Sequence, residues 1–98
     1  MMIPYSFKLG RKEYKVQRYT VLPSGVLGQV FYSPALIKIA RENKRGVSRT
    51  PKQLSETFWH ETTHAILNDM HHVLRNNEQF VTEFSRRLNQ VVHTARLS

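Results

Sequence analysis

The chain has 98 residues, enough for one domain with a small hydrophobic core, and we expect residues 1–98 to form that domain. It contains no cysteine, which excludes disulfides and leaves only nitrogen and oxygen atoms as metal ligands. Its net charge of +8 predicts either attraction to acidic partners or a surface whose charge serves only solubility. No apolar run approaches the ~18 residues of a membrane span and residues 1–5 do not resemble a signal peptide, so we expect a soluble cytoplasmic protein without a membrane partner.

Residues 5–9 and 13–21 alternate between apolar and polar side chains, a pattern typical of half-buried strands, and residues 27–33 and 35–40 are two further candidate segments. Turn-forming residues at 10–12 and 22–25 separate the alternating runs. The last run, Ala35–Ala40, also fits a short helical turn, but we favour a strand. The sequence therefore predicts an antiparallel sheet of three or four strands in the N-terminal half, followed by a polar surface loop from Arg41 to Arg49.

A helix is predicted to begin after Thr50. Thr50 is a competent N-cap, Pro51 fits the first helical position, and Gln53 completes a capping box. Viewed along the helix axis, apolar residues form two separate sides, with Trp59, Ile66 and Met70 on one side and Leu54, Phe58 and Ala65 on the other. A helix that is apolar on two sides is buried, so polar residues between those sides need a partner.

The sector between the two apolar sides carries His60 and His64, which with Glu61 form the motif His-Glu-x-x-His. The two imidazoles lie on one face, about 6 Å apart along the axis, so both can bind one metal ion. Glu61 is displaced toward the open side of that ion, where it can take a proton from a water molecule. We therefore expect one zinc ion per chain, with His60 and His64 as ligands and Glu61 as the general base.

A catalytic zinc site needs a third protein ligand. If the motif helix continues far enough, His71 lies on the same sector as the motif histidines but about 10 Å beyond His64 along the axis. That is too far for a shared ion unless the helix breaks. The full set of candidates is Asp69, His71, His72, Glu78 and Glu83.

A second helix is predicted to begin near Asn76 or Asn77, either of which is a competent N-cap. Glu78 then lies in the first turn, beside the apolar stripe and near the helix N-terminus, which favours the ionised carboxylate that zinc requires. Glu83 lies opposite the stripe, in solvent. Glu78 is therefore the predicted third ligand, ahead of the two histidines. The stripe, expected to pack against the motif helix, comprises Phe80 or Val81, Phe84, Leu88, Val91 and Ala95.

The segment from His60 to Leu67, followed by Asn77 to Ser85, resembles the zinc metallopeptidases of the gluzincin type, and most of all the compact ImmA/IrrE group. In that group a second helix supplies a glutamate and then a Phe-small pair, which correspond here to Glu78 and Phe84-Ser85. The resemblance covers the C-terminal half; the N-terminal half is similar only in being a small sheet. It implies a minimal zincin-like fold in which the edge strand before the motif helix, here Ala35–Ala40, pairs with an extended substrate.

The motif and the resemblance together predict an α+β zinc endopeptidase that hydrolyses peptide bonds of a protein or peptide substrate. Zinc is expected to be held by His60, His64 and Glu78, while Glu61 moves the proton. The alternative is a basic nucleic-acid or protein-binding module with a structural zinc, or a catalytically inactive relative. Further donors to the transition state could come from His71, His72 or Tyr32.

Basic residues concentrate in two runs, Lys8–Arg18 and Lys38–Lys52. Lys8, Lys12 and the loop Arg41–Arg49 could form one basic surface that attracts an acidic substrate or binds nucleic acid weakly and without sequence preference. The alternative, weighted equally, is a solvated face. Because no aromatic residue interrupts the second run, the expected nucleic-acid contact is with phosphates rather than by base stacking.

Overall fold

The computed structural model describes residues 3–96, so the predicted domain is described without its first two and last two residues. A sheet in the N-terminal half packs against helices in the C-terminal half, which confirms the α+β class and the strand at Ala35–Ala40. The elements are β1 (Ser6–Leu9), β2 (Lys12–Tyr19), β3 (Gly28–Tyr32), β4 (Ala35–Ala40), α1 (Pro51–Asp69) and α2 (Glu78–Thr94), with a 3-10 turn at Pro23–Gly25. Neither helix within residues 3–96 has the length and apolar composition needed to span a membrane.

The sheet is mixed, with strand order β1-β2-β4-β3. Two antiparallel hairpins, β1–β2 and β3–β4, are joined by a parallel pair between β2 and β4. This central pair differs from the antiparallel sheet expected from the sequence. The reason is apolarity: Ile37 and Ile39 of β4 are fully buried and place that strand in the centre, while β3, which exposes Phe31, takes the edge.

The position of β4 overturns one expectation. Because β4 pairs with β2 on one side and β3 on the other, Ala35–Ala40 is not an edge strand and cannot accept a further strand. The edges of the sheet are β1 and β3. Of these two strands, β3 is the one that contributes to the cleft described below.

The core lies between one face of the sheet and α1. Alternation along β2 buries Tyr14 and Val16 and leaves Lys15 and Gln17 exposed. The rings of Phe7 and Tyr14 stack with their centroids 5.3 Å apart, so aromatic contacts fill part of the space beneath the helix. The buried cluster comprises Tyr14, Val16, Ile37, Ile39, Phe58 and Ala65.

The N-terminus of α1 forms as predicted. Thr50 Oγ1 accepts a hydrogen bond from the Gln53 backbone at 3.1 Å, and Gln53 Oε1 accepts one from the Thr50 backbone at 2.9 Å, which completes the capping box. The helix is buried by the sheet and by α2. Met70 is 60% exposed because α1 ends at Asp69, so Met70 is not part of the expected apolar side.

The α2 helix is capped by Asn77, whose Oδ1 accepts a hydrogen bond from the Phe80 backbone at 2.9 Å. Its packed face carries Val81, Ser85 and Asn89, which are all buried. These residues follow Glu78 at intervals of three, seven and eleven, so they share its side of the helix.

The apolar stripe predicted for α2 is wrong in most of its members. Phe84 is 46% exposed and Val91 is 61% exposed, and Ala95 is also exposed. A polar contact holds the packed face instead: Ser55 Oγ of α1 donates to Asn89 Oδ1 at 2.8 Å in the interior. Val81 and the polar residues Ser85 and Asn89 therefore define the helix interface, while Phe84 and Val91 face solvent.

Candidate metal centre and active site

Three side chains from the two helices converge at one point. Four residues apart on α1, His60 and His64 present their Nε2 atoms on the same face, and the first turn of α2 brings Glu78 to meet them. His60 Nε2 lies 3.0 Å from Glu78 Oε2, and His64 Nε2 lies 2.8 Å from Glu78 Oε1. Each carboxylate oxygen thus faces one imidazole.

The hydrogen bonding of His64 fixes which of its nitrogens is free. His64 Nδ1 lies 2.9 Å from the carbonyl oxygen of Arg75, which can only accept, so Nδ1 carries the hydrogen. In the neutral ring, Nε2 then directs a lone pair at the Glu78 carboxylate. Two electron-rich atoms at this distance need a proton or a cation between them, which is the situation a metal ion resolves.

The donor set fits a zinc ion. The ligand atoms of His60, His64 and Glu78 all lie within 4.8 Å of one another. An ion with bonds of about 2.0–2.2 Å to each ligand atom needs the Glu78 carboxylate to move out of its direct contacts with the imidazoles, and the 69% exposed side chain of Glu78 has room to turn. Two imidazoles and one carboxylate are the ligands of one known class of catalytic zinc site.

Burial also prepares His60 for metal binding. Desolvation lowers the pKa of His60; Glu78 opposes this effect, and a proton on His64 would add to it. The neutral ring is favoured, and the neutral ring is the form that ligates a metal. The centroids of the two imidazoles are 5.1 Å apart, close enough for both rings to reach one ion.

Glu61 lies beside the cluster without belonging to it. Burial raises the pKa of Glu61 from 4.5 to about 7; a proton on His64 opposes this shift, and the negative charge of Glu78 adds to it. Its carboxylate is backed by β3 at Gly28, where a Cβ atom would meet Glu61 Oε2 at 3.1 Å and Thr57 Cγ2 at 2.5 Å. A carboxyl with a pKa near neutrality can both accept and release a proton.

A cleft of about 550 Å³ opens over these residues. One wall is the N-terminal part of β3 with the loop before it, and the other walls are α1 and α2. The cleft is lined by Val26, Leu27, Gly28, Gln53, Glu56, Thr57, His60, Glu61, His64, Glu78, Thr82, Ser85 and Arg86.

The other ligand candidates lie elsewhere. Asp69 is the exposed last residue of α1. His71 is exposed and has a φ of 52°, and the Nδ1 of His72 accepts a hydrogen bond from the Leu74 backbone at 3.0 Å. Glu83 is 53% exposed and lies 3.9 Å from an arginine one turn along the helix. Within residues 3–96, none of these side chains joins the ligand cluster.

The three side chains considered as further transition-state donors, Tyr32, His71 and His72, do not line the cleft. Tyr32 is on the inner face of β3, where burial raises its pKa and the charges of Tyr14, Glu61 and Glu78 add to the effect. Polar donors that do line the cleft come from α1, at Gln53 and Thr57, and from α2, at Thr82, Ser85 and Arg86.

Two residues beside the site, Gly28 and Arg49, were not predicted from the sequence. Gly28 leaves space for Thr57 and Glu61, and a glycine within an alternating strand run was the available signal for such a close approach. Arg49 had no signal that set it apart from its basic neighbours. Its guanidinium donates to the carbonyl oxygens of Leu27, Ala40 and Gln53 and to Thr57 Oγ1.

These contacts change the expected role of Arg49. Burial lowers its pKa, with the nearby charge of Glu56 opposing the shift, and its hydrogen bonds tie the loop to β4 and α1. It is therefore a structural link beside the cleft, and the basic surface expected of the loop is left to Arg41, Lys44 and Arg45.

Comparison of the chain with known protein families, with curated proteins and with solved structures finds no match.

Proposed function

We propose that the protein is a zinc-dependent endopeptidase of the gluzincin type, similar to the compact ImmA/IrrE group. The observation that carries the proposal is the convergence of His60, His64 and Glu78 within 4.8 Å, beside a partly buried glutamate and an open cleft. The lone pair of His64 that faces a carboxylate supports a cation at this point. A cytoplasmic location belongs to the same proposal.

His60, His64 and Glu78 would hold the ion, and Arg75 would orient His64 through the hydrogen bond to its carbonyl oxygen. When bound, zinc supplies a Lewis acid that polarises the scissile carbonyl and lowers the pKa of a water molecule. Glu61 accepts the proton of the attacking water and passes it to the leaving amine. Gly28 leaves the space that the Glu61 carboxylate occupies at the cleft.

We assign the substrate to the edge of β3 rather than to β4. An extended peptide beside Gly28–Tyr32 would gain backbone hydrogen bonds at the free edge, which require little sequence selectivity. Val26 and Leu27, both exposed, would contact apolar side chains of the peptide, while Arg86 on the opposite wall favours an acidic one. The substrate class is therefore an extended protein segment, with acidic side chains tolerated near α2.

The direct test compares the wild-type protein with Glu61→Gln on an unstructured protein such as casein. We expect zinc content and the fold to be retained and hydrolysis to fall at least about a hundredfold, because the substitution removes the base and no ligand. Glu83→Gln, an exposed glutamate on α2, is the matched control and should cleave normally. Equal activity of Glu61→Gln and wild type would contradict the mechanism. Zinc binding with no hydrolysis by the wild type would favour a structural zinc site or an inactive relative.

A further inference from the structure

The sheet has a second face that the cleft does not use. The inner face carries Tyr14, Val16, Ile37 and Ile39 beneath α1, and the alternate residues point the other way. Strand register places eight side chains of β2, β3 and β4 side by side on this outer face: Lys15, Gln17, Tyr19, Gln29, Phe31, Leu36, Lys38 and Ala40. Within residues 3–96, the helices pack on the inner face only.

An aromatic row crosses the outer face. Lys38 Nζ lies 5.2 Å from the ring centroid of Tyr19 and 5.3 Å from that of Phe31, so the ammonium group sits between two rings. The rings are 37% and 39% exposed, and the Tyr19 hydroxyl donates to Gln17 Oε1 at 2.7 Å. Two partly exposed rings on one face of the sheet offer flat apolar surface against which an aromatic ligand can stack.

The charge of the sheet determines what this row can bind. The four strands carry five basic residues, and their one acid is Glu13, which lies 3.6 Å from Lys15. Glu13 also lies opposite Lys8 in the register of β1 and β2, so Lys38 is the lysine of this face that has no strand carboxylate beside it. The complementary ligand is a polyanion that also offers flat aromatic groups.

We propose that the outer face binds single-stranded DNA, with bases stacked on Tyr19 and Phe31 and a phosphate held at Lys38. Stacking on exposed rings and phosphate attraction to lysine are the two contacts by which proteins bind single strands without sequence preference. Neither contact uses the 2′-hydroxyl, so DNA is a sufficient ligand. This site lies on the opposite side of the sheet from the cleft and does not depend on zinc. Its stacking contribution also differs from the phosphate contact expected of the Arg41–Arg49 loop.

The test measures fluorescence anisotropy with a labelled ten-nucleotide oligothymidylate at low salt. We expect Tyr19→Ser with Phe31→Ser to weaken binding at least about tenfold, because each stacked base is lost with its ring. Lys38→Gln should weaken binding and reduce its salt dependence. Phe84→Ser, which removes a similarly exposed ring from α2, should leave binding unchanged.

Several outcomes would overturn the proposal. One is full affinity in the double variant, and another is equal affinity for polyglutamate, which has the charge but no bases. Loss of binding only when Arg41, Lys44 and Arg45 are changed to Ser would move the contact to the loop. A tenfold preference for an oligouridylate of the same length would overturn the assignment to DNA. If the double variant does not fold, ring-proton NMR shifts of Tyr19 and Phe31 in the wild type decide, since a stacked base must move them.

Discussion

The two helices both contribute ligands to the cluster of His60, His64 and Glu78, but they differ in how many of their sides are covered. α1 is covered on two sides, by the sheet and by α2, and its histidines and Glu61 sit between those contacts. α2 is covered on one side only, by Val81, Ser85 and Asn89, and it leaves Phe84 and Val91 in solvent. The acids differ accordingly: Glu61 of α1 has a pKa raised to about 7, while Glu78 of α2 is largely exposed.

This difference shows that the hydrophobic pattern did not set the orientation of α2. The face that carries Glu78 is the face that packs, and small residues along it let the helix approach α1 closely. The face with the larger apolar residues turns outward. Substitutions on the packed and exposed faces of α2 should therefore change the unfolding free energy by different amounts. The same holds for substitutions of a partly buried and an exposed glutamate.

The largest expected effect on stability concerns the buried acid of α1. In metal-free protein, burial raises the pKa of Glu61 from 4.5 to about 7, so the folded state binds this proton more tightly than the unfolded state does. The resulting contribution to the unfolding free energy is largest below about pH 4.5 and is lost as the pH rises through about 7. The unfolding free energy of Glu61→Gln should then exceed that of the wild type by up to about 3 kcal/mol above pH 8. At pH 4.5 the difference should be less than about 0.5 kcal/mol. Urea unfolding of both proteins in the presence of a metal chelator, at pH 4.5 and above pH 8, measures this difference in unfolding free energy. Glu83→Gln is the exposed control, and a gap independent of pH would contradict the burial of Glu61.

An intermediate effect separates the two faces of α2. Val81 is fully buried, so Val81→Ala should cost about 2 kcal/mol of unfolding free energy through lost apolar contacts and a small cavity. Val91 is 61% exposed, so Val91→Ala should cost less than about 0.5 kcal/mol. Denaturant unfolding of the zinc-free proteins provides both values. A larger loss at Val91 would mean that the apolar stripe faces inward after all.

The smallest effect tests the contact between β3 and α1. A Cβ atom at Gly28 would lie 2.5 Å from Thr57 Cγ2, and Thr57 is held by the hydrogen bond from Arg49, so the strand must move away from the helix. We expect Gly28→Ala to lower the unfolding free energy by about 1 kcal/mol. Gln29→Ala, on the outer face of the same strand, should have almost no effect. Equal losses in the two variants would mean that β3 does not approach α1 closely.

Much of the fold followed from local patterns. Alternation predicted the strands, and Thr50, Pro51 and Gln53 predicted the start of α1 to the residue, because both signals act within a few positions of the chain. The parallel β2–β4 pair did not follow, since strand order depends on contacts between residues that are far apart in the sequence. The orientation of α2 was missed because Phe84 and Val91 outweigh Ser85 and Asn89 in any hydrophobic count.

The site was predicted better than the packing around it. The spacing of His60 and His64 and the place of Glu78 in the first turn are determined by helix geometry, and the three do converge. Gly28 and Arg49 act through contacts with α1 that are distant in sequence, so spacing alone could not reveal them.

The most direct measurement of the central claim is zinc stoichiometry and affinity in three proteins, by elemental analysis and competition with a chromophoric chelator. We expect the wild type and Glu83→Gln to bind about one zinc per chain with equal affinity, and Glu78→Gln to bind at least about a hundredfold more weakly, because it removes the carboxylate ligand. No zinc in the wild type, or loss of zinc in Glu83→Gln but not in Glu78→Gln, would contradict the account.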